Sequence, residues 1–123
     1  MPVQNIAYYT DVLPEGFPVN SGTNAELNLI STIGVLTVGE GTRITDEYKL
    51  KETLIAIVKL EDENYVVVEN RTDEYGVGES REEAQQDLFN SLVDYLHSLE
   101  KREGRLGDRE RHNLQVLRNI LTK

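Results

Sequence analysis

A chain of 123 residues is one domain, large enough to bury a modest core without disulfides or a structural metal. It has no cysteine, which excludes disulfides, thiolate metal sites and cysteine nucleophiles together and fits a reducing compartment. Charge is unevenly spread: residues 101–123 hold seven basic against three acidic side chains, a net of +4, which leaves −13 on the first hundred residues. Such an acidic body opposes broad binding to phosphate backbones, because repulsion works against counterion release. It favours solubility and attraction to a basic partner. No apolar run approaches ~18 residues and the N-terminus lacks the basic-then-apolar layout of a signal peptide, so the expectation is a soluble cytoplasmic protein with no membrane partner.

Residues 1–24 break every helical pattern with Pro2, Pro14, Pro18, Gly16 and Gly22, yet Ile6, Tyr8, Tyr9, Val12, Leu13 and Phe17 are too apolar for a solvated tail. Val3 to Tyr9 is expected to be an extended arm or edge strand, docked on this subunit or on a neighbouring one. Glu26 to Val38 alternates as a strand with both faces partly covered. Gly39-Glu40-Gly41-Thr42 then reads as a turn, since it lacks the helix N-terminus that makes a Gly-rich loop cradle phosphate. Leu50 to Leu60 is the longest strand candidate, with Leu50, Leu54, Ala56, Val58 and Leu60 on one face. Glu61-Asp62-Glu63-Asn64 turns it into the β-branched strand Tyr65–Val68, forming an antiparallel hairpin. A shorter extended piece, Glu74 to Gly78, is punctuated by Gly76 and Gly78.

Ser80 and Glu83 form a capping box at the start of an amphipathic helix. Ala84, Leu88, Leu92, Tyr95, Leu96 and Leu99 recur at helical spacing, with Phe89 and Val93 widening the stripe. Gly104 is expected to end this helix, and Asp108 to cap a second one whose stripe is Leu114, Leu117, Ile120 and Leu121. The whole reads as one α+β domain: residues 1–24 an irregular arm or edge strand, 25–79 an antiparallel sheet of three to four strands, and 80–122 a long helix packed on that sheet followed by a C-terminal helix.

The segment Tyr65–Leu96, with Gly78-Glu79-Ser80-Arg81-Glu82-Glu83-Ala84 at its strand-to-helix junction, resembles the core of the HicB-like antitoxin family. The paired strands before it match that family in kind, and the likeness spans about residues 53–99. The resemblance implies a β-β-β-α core, assembly into dimers or higher oligomers, and neutralisation of a small basic toxin-like ribonuclease. Residues 105–123 are too short for a complete ribbon-helix-helix or helix-turn-helix module.

Enzymatic motifs are absent: there is no Gly-x-Ser-x-Gly, His-Glu-x-x-His or P-loop, and no catalytic residue or cofactor is assigned. Asp94 and His97 lie one helical turn apart, but no third ligand is signalled, so no metal site is assigned. The sequence favours a binding protein whose contacts to a basic partner come from Glu61, Asp62, Glu63, Glu69, Asp73 and Glu74. One alternative is a self-assembling homo-oligomer without a toxin partner. Another is a nucleic-acid binder acting through Arg109, Arg111 and Arg118, although nucleic acid is the less expected partner because no aromatic residue follows Tyr95 to stack on bases.

Overall fold

A computed structural model describes residues 7–10 and 32–123. The fold is α+β. Five antiparallel strands lie in the order β1 (Ala7–Thr10), β2 (Thr32–Val38), β4 (Leu54–Glu61), β5 (Asn64–Glu69) and β6 (Tyr75–Gly78). A separate ribbon joins β3 (Lys49–Leu50) to β7 (Leu121–Thr122). Two helices follow the sheet, α1 (Arg81–Lys101) and α2 (Asp108–Ile120), with a 3-10 turn at Glu103–Arg105 between them. Three to four strands were expected in the sheet. The fifth is β1, which pairs with β2 of its own chain, so this part of the expected arm docks in cis. Residues 1–6 and 11–31, which carry the remainder of the arm and the first part of the Glu26–Val38 strand, lie outside the described residues.

One face of the sheet packs on α1. Leu36, Val38, Leu54, Ala56, Val58 and Val67 are all fully buried there, and Leu88, Leu92 and Leu99 of α1 meet them. Each of these Val and Leu side chains contributes about 1.5–3 kcal/mol by leaving water. The helical stripe is as the spacing predicts, with Tyr95 at its edge. Its hydroxyl accepts a hydrogen bond (2.9 Å) from Nδ2 of Asn113, a 3%-exposed residue of α2. Leu114, Leu117, Ile120 and Leu121 belong to the same core, where the C-terminal helix packs on α1.

The expected Leu50–Leu60 strand is interrupted. Leu50 belongs to β3, because the Lys51 amide donates to the Ile120 carbonyl (2.8 Å) and carries the chain away from the sheet to meet the C-terminus. Alternation alone cannot register such a break, since Leu50 keeps the parity of the strand that follows. Leu60, expected to share the buried face, is instead 44% exposed at the far end of β4. The Gly39–Thr42 turn is present, with Gly41 at φ +88°, and it opens a small excursion that returns at Leu50.

The capping box forms with a shift of one residue. Ser80 Oγ accepts from the Glu83 amide (3.1 Å), while the Glu83 carboxylate reaches past the cap to the Glu79 amide (2.9 Å). Replacing Ser80 with Ala should cost about 1 kcal/mol in urea denaturation, because the Glu83 amide loses its acceptor. The second helix begins differently from expectation. Gly107, not Asp108, is the N-cap, and Glu110 accepts from the Gly107 amide (3.3 Å). The long helix also stops earlier than Gly104, at Lys101, with Gly104 inside the 3-10 turn.

Candidate functional site

The hairpin joining β4 to β5 is tight. Glu61 pairs with Asn64, so only Asp62 and Glu63 span the turn. Both have positive φ, 50° and 66°, as a two-residue type I′ loop requires. Such loops favour Asn-Gly, because a Cβ in the left-handed region costs roughly 1–2 kcal/mol. The third non-glycine residue with positive φ among the described residues is Asp73, at 63°. All three are acidic, and all three are among the contact residues inferred from sequence.

The structure separates those six residues into two groups at opposite ends of β5. Glu61, Asp62 and Glu63 are exposed, and among the described residues their carboxylates make no ion pair. The other three are constrained. Glu69 is 1% exposed: one carboxylate oxygen accepts from the Thr72 amide (2.9 Å) and hydroxyl (2.8 Å), the other from Nε of Arg71 (3.0 Å). It holds the β5–β6 turn and presents no surface to a partner. Asp73 is exposed but pairs with Arg109 of α2 at 2.6 Å. Glu74 is half-buried, and desolvation pushes its carboxyl above the ordinary glutamate value.

The basic residues inferred as nucleic-acid contacts are all engaged within the chain. Arg109 is held by Asp73, Arg111 by Asp108 and the Leu106 carbonyl, and Arg118 by Glu103 (2.8 Å) and Glu100 (3.4 Å). Arg102 closes the same region by pairing with Glu110 at 3.0 Å. These hydrogen bonds and charges hold the Glu103 and Glu110 carboxyls below the ordinary glutamate value. A carboxyl lowered in the folded state contributes stability above its unfolded pKa and loses it as pH falls. Acid titration of stability should therefore be shallower in a Glu103→Gln/Glu110→Gln variant, measured by thermal unfolding between neutral pH and about pH 3.

His97 has a structural partner: its Nε2 lies 3.1 Å from the hydroxyl of buried Tyr48, whose ring also faces Lys123. Among the described residues no three His, Cys, Asp or Glu side chains converge on a cation-sized site. An open, polar groove lined by Arg43, Ile44, Thr45, Asp46, Gln86 and Asn90 lies beside α1, and Gln86 bridges it by donating to the Ile44 carbonyl. Among the described residues no helix is long and apolar enough to cross a membrane.

The sheet face away from α1, which the alternation of Glu26–Val38 marks as partly covered, carries exposed apolar side chains. Val35, Ile55, Ile57, Val66, Val68, Tyr75 and Val77 share it by register. Ile55, Tyr75 and Val77 are 47%, 58% and 41% exposed, whereas Val35 and Ile57 are buried. The same signal lies in the second apolar parity of Leu54–Glu61 and of Tyr65–Val68. No family model, curated protein or solved structure matches this chain.

Proposed function

We propose that this chain is a non-enzymatic, HicB-like binding protein that captures a basic partner protein, acting as an antitoxin-like neutraliser. The observation that carries this reading is the type I′ hairpin tip. Two carboxylates occupy left-handed positions where Asn and Gly would cost less, beside a third carboxylate at Glu61. Like charges crowded on a strained turn weaken the fold and strengthen attraction to a cationic surface. Exposed Ile55, Tyr75 and Val77 supply apolar area alongside. The same exposed apolar side chains support a second reading, assembly of copies of this chain into a homo-oligomer in the cytoplasm without a toxin partner. A nucleic-acid role has less support, because Arg109, Arg111 and Arg118 are each neutralised within the chain.

The test is a tagged pull-down from the native host with nuclease present, run beside a Glu61→Lys/Asp62→Lys/Glu63→Lys variant. A small basic protein recovered near one-to-one by the parent chain and lost from the variant is the expected result. Recovery of the chain alone in both arms would overturn the capture reading and leave self-assembly.

A further inference from the structure

Among the described residues β6 ends the sheet, with β5 on one side and no strand on the other. The Glu69 amide donates to the Glu74 carbonyl (2.9 Å), which fixes the antiparallel alternation. It follows that the backbone N–H and C=O groups of Tyr75 and Val77 point away from β5. The Val77 amide confirms this, donating to Oδ2 of Asp87 on α1 (2.9 Å). The Tyr75 and Val77 side chains are exposed on the face remote from α1, while Gly76 and Gly78 meet the helix. On that helical side the edge is flanked by exposed Glu83 and Asp87, one turn apart, Glu83 also accepting from the Glu79 amide.

We propose that the β6 edge is a strand-addition site for an extended segment of a partner protein in which apolar residues alternate with lysine or arginine. This deepens the capture reading above and rests on it. Residues of an added strand that pair with Tyr75 and Val77 share their face, so they are apolar. Those opposite Gly76 project toward α1 and meet Asp87 and Glu83, so they are cationic. The incoming carbonyl replaces Asp87 as acceptor for the Val77 amide, and the released carboxylate pairs with the incoming cation. A second copy of this chain fits poorly, since its own β6 offers glycine at the cationic position and brings further carboxylates.

The probe is a seven-residue peptide of alternating Val and Lys, compared with its Val/Glu counterpart and titrated into the isotope-labelled full chain by NMR. The Val/Lys peptide should perturb the amides of Tyr75, Val77 and Asp87, and the Val/Glu peptide should not. Tyr75→Pro removes an amide that points off the sheet and breaks no ladder bond, so it should weaken binding at least tenfold. Asp87→Lys provides a second variant should that one fail to fold, and it should reverse the preference toward the Val/Glu peptide. Val/Lys binding centred on Glu61–Glu63 and unchanged in both variants would overturn the edge site while leaving the acidic-binder reading intact. Binding of neither peptide would overturn the edge site, while the pull-down decides the capture reading. Concentration-dependent shifts of Tyr75 and Val77 without peptide would assign the edge to a second copy and overturn the proposal.

Discussion

Replacing Gly76 with Ala should destabilise the protein by about 3 kcal/mol or more, the upper range for forcing extra volume into a packed interface. The cause is local and specific. A Cβ at Gly76 would overlap the Leu88 amide nitrogen and the Ala84 carbonyl oxygen, both backbone atoms of α1. Neither can rotate aside. Relief requires lifting the helix off β6, which uncovers Leu88 and Leu92, both fully buried. Gly78 repeats the contact one pleat further on, where a Cβ would lie 2.5 Å from the Ala84 nitrogen. Gly104 serves as the control, because nothing lies within 4 Å of a Cβ built there. Urea denaturation should show a large loss of stability for Gly76→Ala and little change for Gly104→Ala. Equal effects would mean that helix–strand contact does not set the cost.

The second large effect is expected at Glu69. Its carboxylate is buried in the turn between β5 and β6, and replacing it with Ala leaves the 4%-exposed Thr72 without an acceptor for its amide and hydroxyl. Arg71 would lose one of its two carboxylates and keep only Glu52. Breaking a buried, hydrogen-bonded charge in this way costs on the order of 3 kcal/mol. Glu69→Gln should cost less, because an amide oxygen can still accept from Thr72. Guanidinium unfolding of the two variants separates the cases: equal losses for Gln and Ala would show that charge, and not the acceptor geometry, holds the turn.

Much of this architecture was legible because helical and strand periods were clean. The stripe from Ala84 to Leu99 and the Ser80–Glu83 cap rest on local spacing, so they survive without tertiary information. The Leu50–Leu60 segment failed for the opposite reason. Its alternation continues smoothly through a break caused by the C-terminus, some seventy residues later in the chain, whose Ile120 carbonyl captures the Lys51 amide. Gly76 and Gly78 read as punctuation, yet their spacing of two places both on one face, the signature of a close backbone approach. Glu69 carried a similar signal. It shares parity with Val67, and a lone acid continuing a buried face announces a satisfied carboxylate more than a contact residue.

For the candidate site, composition identified an acidic surface but not its division. Three of the six carboxylates at the hairpin ends are spent on the fold: Glu69 on the turn, Asp73 on Arg109, and Glu74 on partial burial. Glu61, Asp62 and Glu63 stay clear of such partners among the described residues. The Asp73–Arg109 pair joins residues 36 apart in the chain, which no periodicity encodes, whereas Glu69 is held locally by Arg71 and Thr72.

The most direct measurement combines stability with capture on an Asp62→Asn/Glu63→Gly variant. Asn-Gly suits the left-handed turn, so the variant should be more stable than the parent by up to about 1 kcal/mol. It also removes two carboxylates from the tip. If the acidic hairpin binds a basic partner, the stabilised variant should retain less of it in the same pull-down, a gain in folding set against a loss in binding. Undiminished capture by a more stable protein would contradict the account and place the contact elsewhere on the chain.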